Sequence, residues 1–393
     1  MTARRRAVIT GIGTVSAAGI GKEAFWQSLL RDHDLPVAAA LSDFDPTPWV
    51  SGKDIKRSDP YVLFAIAAAS LALRDAGEPT LEPDRTGVIM GNLYGAGSSI
   101  ERQMQVLAAE GRDAVSPLLC AIACEDACAS QISIRFGFTG PSRLVVASCA
   151  SGTVAVADAA ALIMAGTCDA VLAGATLGPV PDVIVASYEN LRVRSPSRWV
   201  RPFDERRDGF EFAEGAAVLL LEEASQATAR RARVYAEIAG WATSNDAFHI
   251  SKPSGLGIEL AMRWALDHAG VSPAEVLQVN AHGTGTITGD REEAAAIGRV
   301  FGPNRPAVTS IKGRTGHSLA AAGAFEAAAL ALSIERGLIP PTATELRLDP
   351  GIDVDVVHGE PRPWLPGLSI SNSFGLGGHN ATIVMRPFAA ERR

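Results

Sequence analysis

Charge is scarce in this sequence: only 20% of its 393 residues are Asp, Glu, Lys or Arg, against 47% hydrophobic. That balance excludes a disordered chain and points to a large core. A basic excess is also lacking, because 36 Lys and Arg face 43 Asp and Glu, a formal net charge of −7. A general nucleic-acid binder, which needs a basic surface, is therefore excluded, although a local basic patch is not. No apolar run reaches the roughly 18 residues that a membrane-spanning helix needs. Arg4-Arg5-Arg6 looks like the start of a signal peptide, but the apolar stretch Ala7-Val8-Ile9-Thr10 runs at once into Gly11-Ile12-Gly13. It reads as a first strand instead. There are only five cysteines, an odd number at irregular spacing, which suits a reducing cytoplasm better than a disulfide framework.

What is present is an alternation of short apolar runs and Ala-rich helical runs. The runs predict strands over 6–10, 87–91, 143–147, 169–173, 216–221, 234–240, 277–281, 368–370 and 381–386. They predict helices over 61–76, 151–165, 256–269, 291–300 and 318–336. Gly77 closes the first helix as a C′ residue does. Strands alternating with helices predict an α/β fold with buried sheets covered by helices. By length alone the chain holds about two to four domains or one large unit. The pattern occurs twice around a break near 228–236, with no low-complexity linker, so one compact unit of two halves is expected. The halves differ too much in sequence to establish a repeat.

Four segments put reactive side chains where strands end. In Leu144-Val145-Val146-Ala147-Ser148-Cys149-Ala150-Ser151-Gly152 a β-branched run stops and a helix of small residues begins. That places the Cys149 thiol at a helix N-terminus, where free N–H groups and the dipole lower a thiol pKa and make a nucleophile. The plainer alternative is a small core cysteine. In Val279-Asn280-Ala281-His282-Gly283-Thr284-Gly285-Thr286 a histidine sits at a strand tip, either reactive or bonded to its own turn. In Ser310-Ile311-Lys312-Gly313-Arg314-Thr315-Gly316-His317-Ser318 a strand over 307–310 leads through Lys312 and His317 into a helix. Glu326 lies inside that apolar helix, where an unpaired carboxylate is costly, so a polar active-site partner or partial exposure is expected. In Ser371-Asn372-Ser373-Phe374-Gly375-Leu376-Gly377-Gly378-His379-Asn380 the glycines allow close approach to a ligand or a tight hairpin.

Two other patterns are set aside. Cys120, Cys124 and Cys128 at i, i+4, i+8 read as one closely packed helix face rather than a metal site. Cys149 and the two histidines lack the second cysteine and short spacing of a zinc site. Gly11-x-Gly13-x-x-Ser16 lacks the third glycine and later acidic residue of a dinucleotide fingerprint, and reads as a turn.

Together the four segments resemble the β-ketoacyl-acyl-carrier-protein synthases, of the synthase II type and the ketosynthases of type II polyketide systems. The likeness runs nearly end to end, from Arg6–Ile20 through Arg201-Pro202-Phe203-Asp204 and Arg207-Asp208-Gly209-Phe210 to the final glycine loop. The resemblance implies the thiolase fold, two pseudo-symmetric halves (1–235 and 236–393) in five α-β-α-β-α layers, and a dimer in the cytoplasm. It implies Cys149 as acyl acceptor, His282 and His317 as the histidine pair, Lys312 and Glu326 as their support, and the backbone N–H groups of Cys149 and Phe374 as oxyanion hole. It implies a decarboxylative condensation with a malonyl thioester. No metal or cofactor enters beyond the phosphopantetheine of the acyl carrier protein. Thr284, Thr286, Tyr94, Tyr188 and Leu376 match substrate-contacting positions; Lys53, Lys56, Arg57 and Arg192 match the basic patch that docks the acidic carrier.

Some positions depart from the family pattern. Leu376 replaces the second aromatic of the gating loop. Tyr94 stands where a smaller aliphatic is usual, Tyr188 where another aromatic is usual, and Leu177 where Glu is common. The two phenols imply a shortened pocket or hydrogen bonds to a polar or unsaturated chain, unless both rings turn away. These departures favour a specialised polyketide synthase over ordinary fatty-acid elongation. A chain-length-factor-like partner subunit is the alternative, and such partners lack the nucleophilic cysteine. A non-decarboxylating thiolase would need a second cysteine near the C-terminus, and the last one here is Cys168.

Overall fold

The computed structural model describes residues 5–31 and 40–389. Ten strands carry the fold: β1 (Ala7–Ser16), β2 (Thr86–Gly91), β3 (Ser142–Val145), β4 (Ala170–Leu177), β5 (Gly215–Glu223), β6 (Ala236–Asn245), β7 (Val276–Asn280), β8 (Ala307–Thr309), β9 (Leu368–Gly375) and β10 (His379–Arg386). Five helices pack on them: α1 (Pro60–Asp75), α2 (Ser151–Met164), α3 (Gly255–Ala269), α4 (Ile287–Phe301) and α5 (Ala322–Arg336). The expected strands and helices all appear, several of them longer than expected. Arg4, at the head of the basic triplet, lies outside the described residues.

The strand order shows the repeat that the sequence conceals. One half runs β3-β2-β4-β5-β1 and the other β8-β7-β9-β10-β6, each strand numbered five higher than its counterpart. The directions repeat too. β2 is parallel to β3 and β4, while β5 is antiparallel to β4 and β1. Likewise β7 is parallel to β8 and β9, while β10 is antiparallel to β9 and β6. The halves join where Ala7–Ile9 of β1 pair with Ala236–Ile238 of β6.

Helices set the layers. α1 covers β1 and β5 from one outer side, α3 covers β6 and β10 from the other, and α2 and α5 touch each other between the sheets. This is the five-layer α-β-α-β-α arrangement. The middle helices are pressed from both sides, which is why they are Ala- and Gly-rich rather than amphipathic. Every residue of α5 from Ala322 to Ile334 is buried. Glycines let the two helix starts abut. A Cβ on Gly152 would sit 2.7 Å from Ala324 N, and one on Gly323 2.6 Å from Thr153 N. α1 begins at Pro60 with Asp59 capping Tyr61 N, a conventional start signal.

Two expectations fail here. Gly11 and Gly13 do not form a turn; both lie inside β1. Their missing side chains let α1 settle on the strand, because a Cβ on Gly13 would stand 1.9 Å from the Ala68 carbonyl oxygen. Cys120, Cys124 and Cys128 do not share one helix face. The chain breaks between a short helix at Leu119–Ile122 and another at Ala127–Phe136, leaving Cys120 and Cys124 exposed and Cys128 buried. The spacing matched a helix, but Asp126 and the bend before it interrupt the period.

Candidate active site

The strand-to-helix turn between β3 and α2 presents Cys149. Ser148, just before it, has φ +52°, a left-handed conformation that a non-glycine adopts only when its surroundings hold it. Ser151 braces the turn: its hydroxyl donates to Ser148 O (2.6 Å) and accepts from Ala147 N (2.9 Å). The turn points Cys149 into a cavity of about 670 Å³ that His282, His317, Phe374, Leu376, Tyr188, Thr284 and Thr286 also line.

The expected low thiol pKa is not what the environment gives. Burial pushes Cys149 up to about 11, more than the nearby Lys312 charge and the Ser148 hydroxyl pull it down. The helix N-terminus was a sound clue to position. It did not account for the loss of water around a side chain that is only 6% exposed.

The second half supplies a polar framework. The His282 and His317 rings stand edge to face, 5.4 Å apart. Burial, with the Lys312 charge beside them, holds both well below an ordinary imidazole pKa, so both are neutral. Lys312, 1% exposed, spends its three N–H donors locally. It forms an ion pair with Glu326 and donates to His282 O (2.5 Å) and to His282 Nδ1 (3.3 Å). An ammonium has no lone pair, so His282 Nδ1 is the acceptor and the ring proton sits on Nε2.

Glu326 is thus partnered, as a buried carboxylate in an apolar helix must be. Its other oxygen accepts from Ser373 Oγ (3.1 Å), which lies 2.7 Å from Thr153 Oγ1 of α2. This chain of bonds ties the lysine to the helix that begins just after Cys149. His317 is held by its backbone. Its N–H donates to Glu211 O (2.8 Å) and its carbonyl accepts from Ala213 N (3.1 Å). Its Nδ1 has no hydrogen-bond partner among the described residues.

The glycine loop is the tight hairpin of its plainer reading, and it also reaches the cavity. β9 and β10 form a hairpin closed by Leu376-Gly377-Gly378, and the loop lines the cavity. A Cβ on Gly375 would lie 2.9 Å from Cys149 N, so the Phe374–Gly375 backbone runs directly beside the Cys149 amide. Thr284 and Thr286 hydroxyls lie 3.0 Å apart on the cavity wall. Tyr188 lines the cavity, and its hydroxyl meets that of Tyr94 at 3.1 Å. Leu177 is buried in β4. Arg192 is exposed at the cavity mouth, whereas Lys53, Lys56 and Arg57 are exposed on and beside a short helix at Gly52–Ile55 and do not line it.

Three buried charges escaped the sequence reading. Glu293 of α4 accepts the N–H groups of both His282 and Gly283 at 2.8 Å. Asp290 accepts those of Phe203 (2.7 Å) and Gly285 (3.1 Å). Burial pushes their carboxyls up, to about 7 and about 6 respectively, against those same hydrogen bonds. Arg207 is paired to Asp349 at 2.7 Å and donates to Ile287 O. The three fix the turn that carries His282. The signal was present: Asp290, Glu293, Ile297 and Phe301 follow one helical stripe, so two carboxylates sit on an otherwise apolar face.

A thiol, a neutral imidazole with a fixed Nε2 proton and a second imidazole can together pass an acyl group through a thioester. With the doubled sheet, these features define a condensing acyltransferase of the thiolase fold. The comparisons agree. Residues 36–227 match the family described as "Beta-ketoacyl synthase, N-terminal domain", and residues 235–345 its C-terminal domain. The chain is 35% identical to the 3-oxoacyl-[acyl-carrier-protein] synthase 2 of Staphylococcus aureus (strain COL), over 99% of this chain and 100% of that one. It superposes on a structure titled "The ishigamide ketosynthase/chain length factor" with TM-score 0.93 and 32% identity, over 98% of this chain and all of that one. A second structure, of a type II PKS acyl-carrier protein in complex with its ketosynthase bound to the hexaketide, gives TM-score 0.88 and 27% identity, again over 98% and 100%. The chain belongs to the beta-ketoacyl synthase family. No described helix is long and apolar enough to cross a membrane.

Proposed function

We propose that the protein catalyses decarboxylative condensation of an acyl group held on Cys149 with a malonyl thioester, both delivered by an acyl carrier protein, in type II polyketide biosynthesis. The observation that carries the reading is Cys149 in one cavity with two neutral imidazoles, one of them fixed by Lys312 as an Nε2–H donor. The resting sulfur is a thiol. As it attacks the incoming thioester, its proton passes to His317, whose tautomer no hydrogen bond fixes. The tetrahedral oxyanion rests on the Cys149 and Phe374 N–H groups. Collapse expels the carrier's thiolate, which takes the proton back. The malonyl carboxylate then leaves as carbon dioxide, and its bonding electrons form an enolate whose oxygen accepts from the His282 and His317 Nε2–H groups. The enolate carbon attacks the acyl thioester, the tetrahedral intermediate collapses to the β-keto product, and the expelled Cys149 thiolate takes a proton from water to restore the thiol.

Arg192 at the mouth, with Lys53, Lys56 and Arg57 on the outer surface, supplies the cationic footing for an acidic carrier. The protein works in the cytoplasm as a dimer, with a second copy or with a chain-length-factor-like chain. A purely structural, partner role is disfavoured because the cavity is built around the thiol. The test is incubation with acyl-carrier and radiolabelled malonyl-carrier. A product two carbons longer with equimolar carbon dioxide is expected; acyl transfer without carbon dioxide release would overturn the reading.

A further inference from the structure

Tyr188 lines the chamber, and Tyr94, which does not, pairs with it from behind in an apolar setting. Tyr188 is buried, and its ring stands edge-on to Phe210 and Phe212, with centroids 5.8 and 5.3 Å away. Its hydroxyl meets that of Tyr94 at 3.1 Å. Val193 and Leu376 line the same cavity as Tyr188 and Cys149, and Leu93 and Leu177 belong to the same apolar core. Tyr94 has φ +72°, a left-handed conformation costing a tyrosine about 1 kcal/mol or more. Such a conformation persists where the surroundings over-determine it, and here it places a phenol against a phenol.

Two hydroxyls carry two O–H donors, and one hydrogen bond between them uses one. The second O–H has no acceptor among the described residues. Burial holds both phenols protonated, so the donor persists at any working pH. That donor is buried if it belongs to Tyr188 and half-buried if it belongs to Tyr94; shielded from water without a partner it is unfavourable, and a saturated chain would complete the shielding. A chain with an oxygen at that depth would satisfy it.

We infer that the Tyr94–Tyr188 pair is a specificity device that favours acyl chains carrying a keto or hydroxyl oxygen over saturated chains of the same length. The inference rests on the reading of Cys149 as acyl acceptor and names the substrate class for that site. Tyr188 bears the donor or orients it, and Tyr94 fixes its direction. Neither touches the reacting atoms.

The test compares acylation of Cys149 by hexanoyl, 3-oxohexanoyl and 5-oxohexanoyl pantetheine thioesters, followed by intact-protein mass. At least one oxo chain should react about three- to tenfold faster than hexanoyl, the worth of one hydrogen bond. Tyr188→Phe keeps ring and volume and should bring that ratio close to one. Tyr94→Phe should lower it as well, and the double variant should fall no further than the lower single. Equal rates for all three chains in the unaltered protein, or a preference that survives Tyr188→Phe, would overturn the inference and leave the condensing-enzyme reading standing. Failure of every thioester to acylate the unaltered protein would overturn both.

Discussion

The two turns that open the middle helices are built alike and do different work. In the first half, a left-handed residue, Ser148 at φ +52°, stands three residues before α2 begins at Ser151. In the second, Leu319 at φ +45° stands three residues before α5 begins at Ala322. Gly152 and Gly323 follow at matching places, each pressed against the other helix. The residue after the left-handed position is Cys149 in one half and Ala320 in the other. The shared backbone gives a buried turn at each helix start, and only one of the two carries a reactive side chain.

The difference lies upstream. Between β3 and α2 the chain spans only residues 146–150, whereas between β8 and α5 it spans 310–321. The longer passage holds Lys312 and His317. One half thus has a bare turn at the thiol, and the other carries a lysine and one imidazole in the corresponding passage.

The largest expected effect comes from breaking the glycine contact that makes the turns mirror each other. A Cβ on Gly323 would lie 2.1 Å from Thr153 Oγ1 and 2.6 Å from Thr153 N. Gly323→Val should destabilise by more than about 3 kcal/mol, beyond ordinary overpacking, seen as a lost or strongly lowered thermal midpoint. Gly298→Ala is the control. Its Cβ meets open space, so the midpoint should hold or rise.

Next is the charge that the second half carries. Lys312→Ala strands the buried Glu326 carboxylate and should cost about 3–5 kcal/mol in denaturant unfolding. A loss below about 1 kcal/mol would mean that Glu326 rests protonated and that the pair is not ionic.

The smallest effect sharpens the first half. For a thiol pushed up to about 11, each one-unit rise in pH below that value raises the thiolate fraction about tenfold. Iodoacetamide alkylation of Cys149 should therefore keep climbing from pH 8 to 10. A plateau below pH 9 would show that the helix N-terminus and Lys312 outweigh burial.

Much of this was legible in the sequence, for physical reasons. Period and composition marked the strands and helices, and each reactive residue sat where an apolar run ended. Glu326 announced itself as a carboxylate in an apolar helix. Three kinds of fact were not legible. The repeat was hidden because it survives in strand order and turn geometry rather than in residue identity. Gly11 and Gly13 read as a turn because only packing shows that α1 occupies the space their side chains would fill. The Cys149 thiol and the Glu293 carboxyl were misjudged or missed because burial, which moves both upward, depends on layers assembled from distant parts of the chain.

The most direct test of the account is intact-protein mass spectrometry after incubation with acyl-loaded carrier protein, applied to the unaltered chain, to Cys149→Ala, and to Cys149→Ala combined with Ala320→Cys. The account predicts a gain of one acyl group for the first and none for the other two, with all three folded by thermal midpoint. An acyl adduct on folded Cys149→Ala would contradict the assignment of the nucleophile. An adduct restored by Ala320→Cys would contradict the claim that the polar framework serves one turn and not its counterpart.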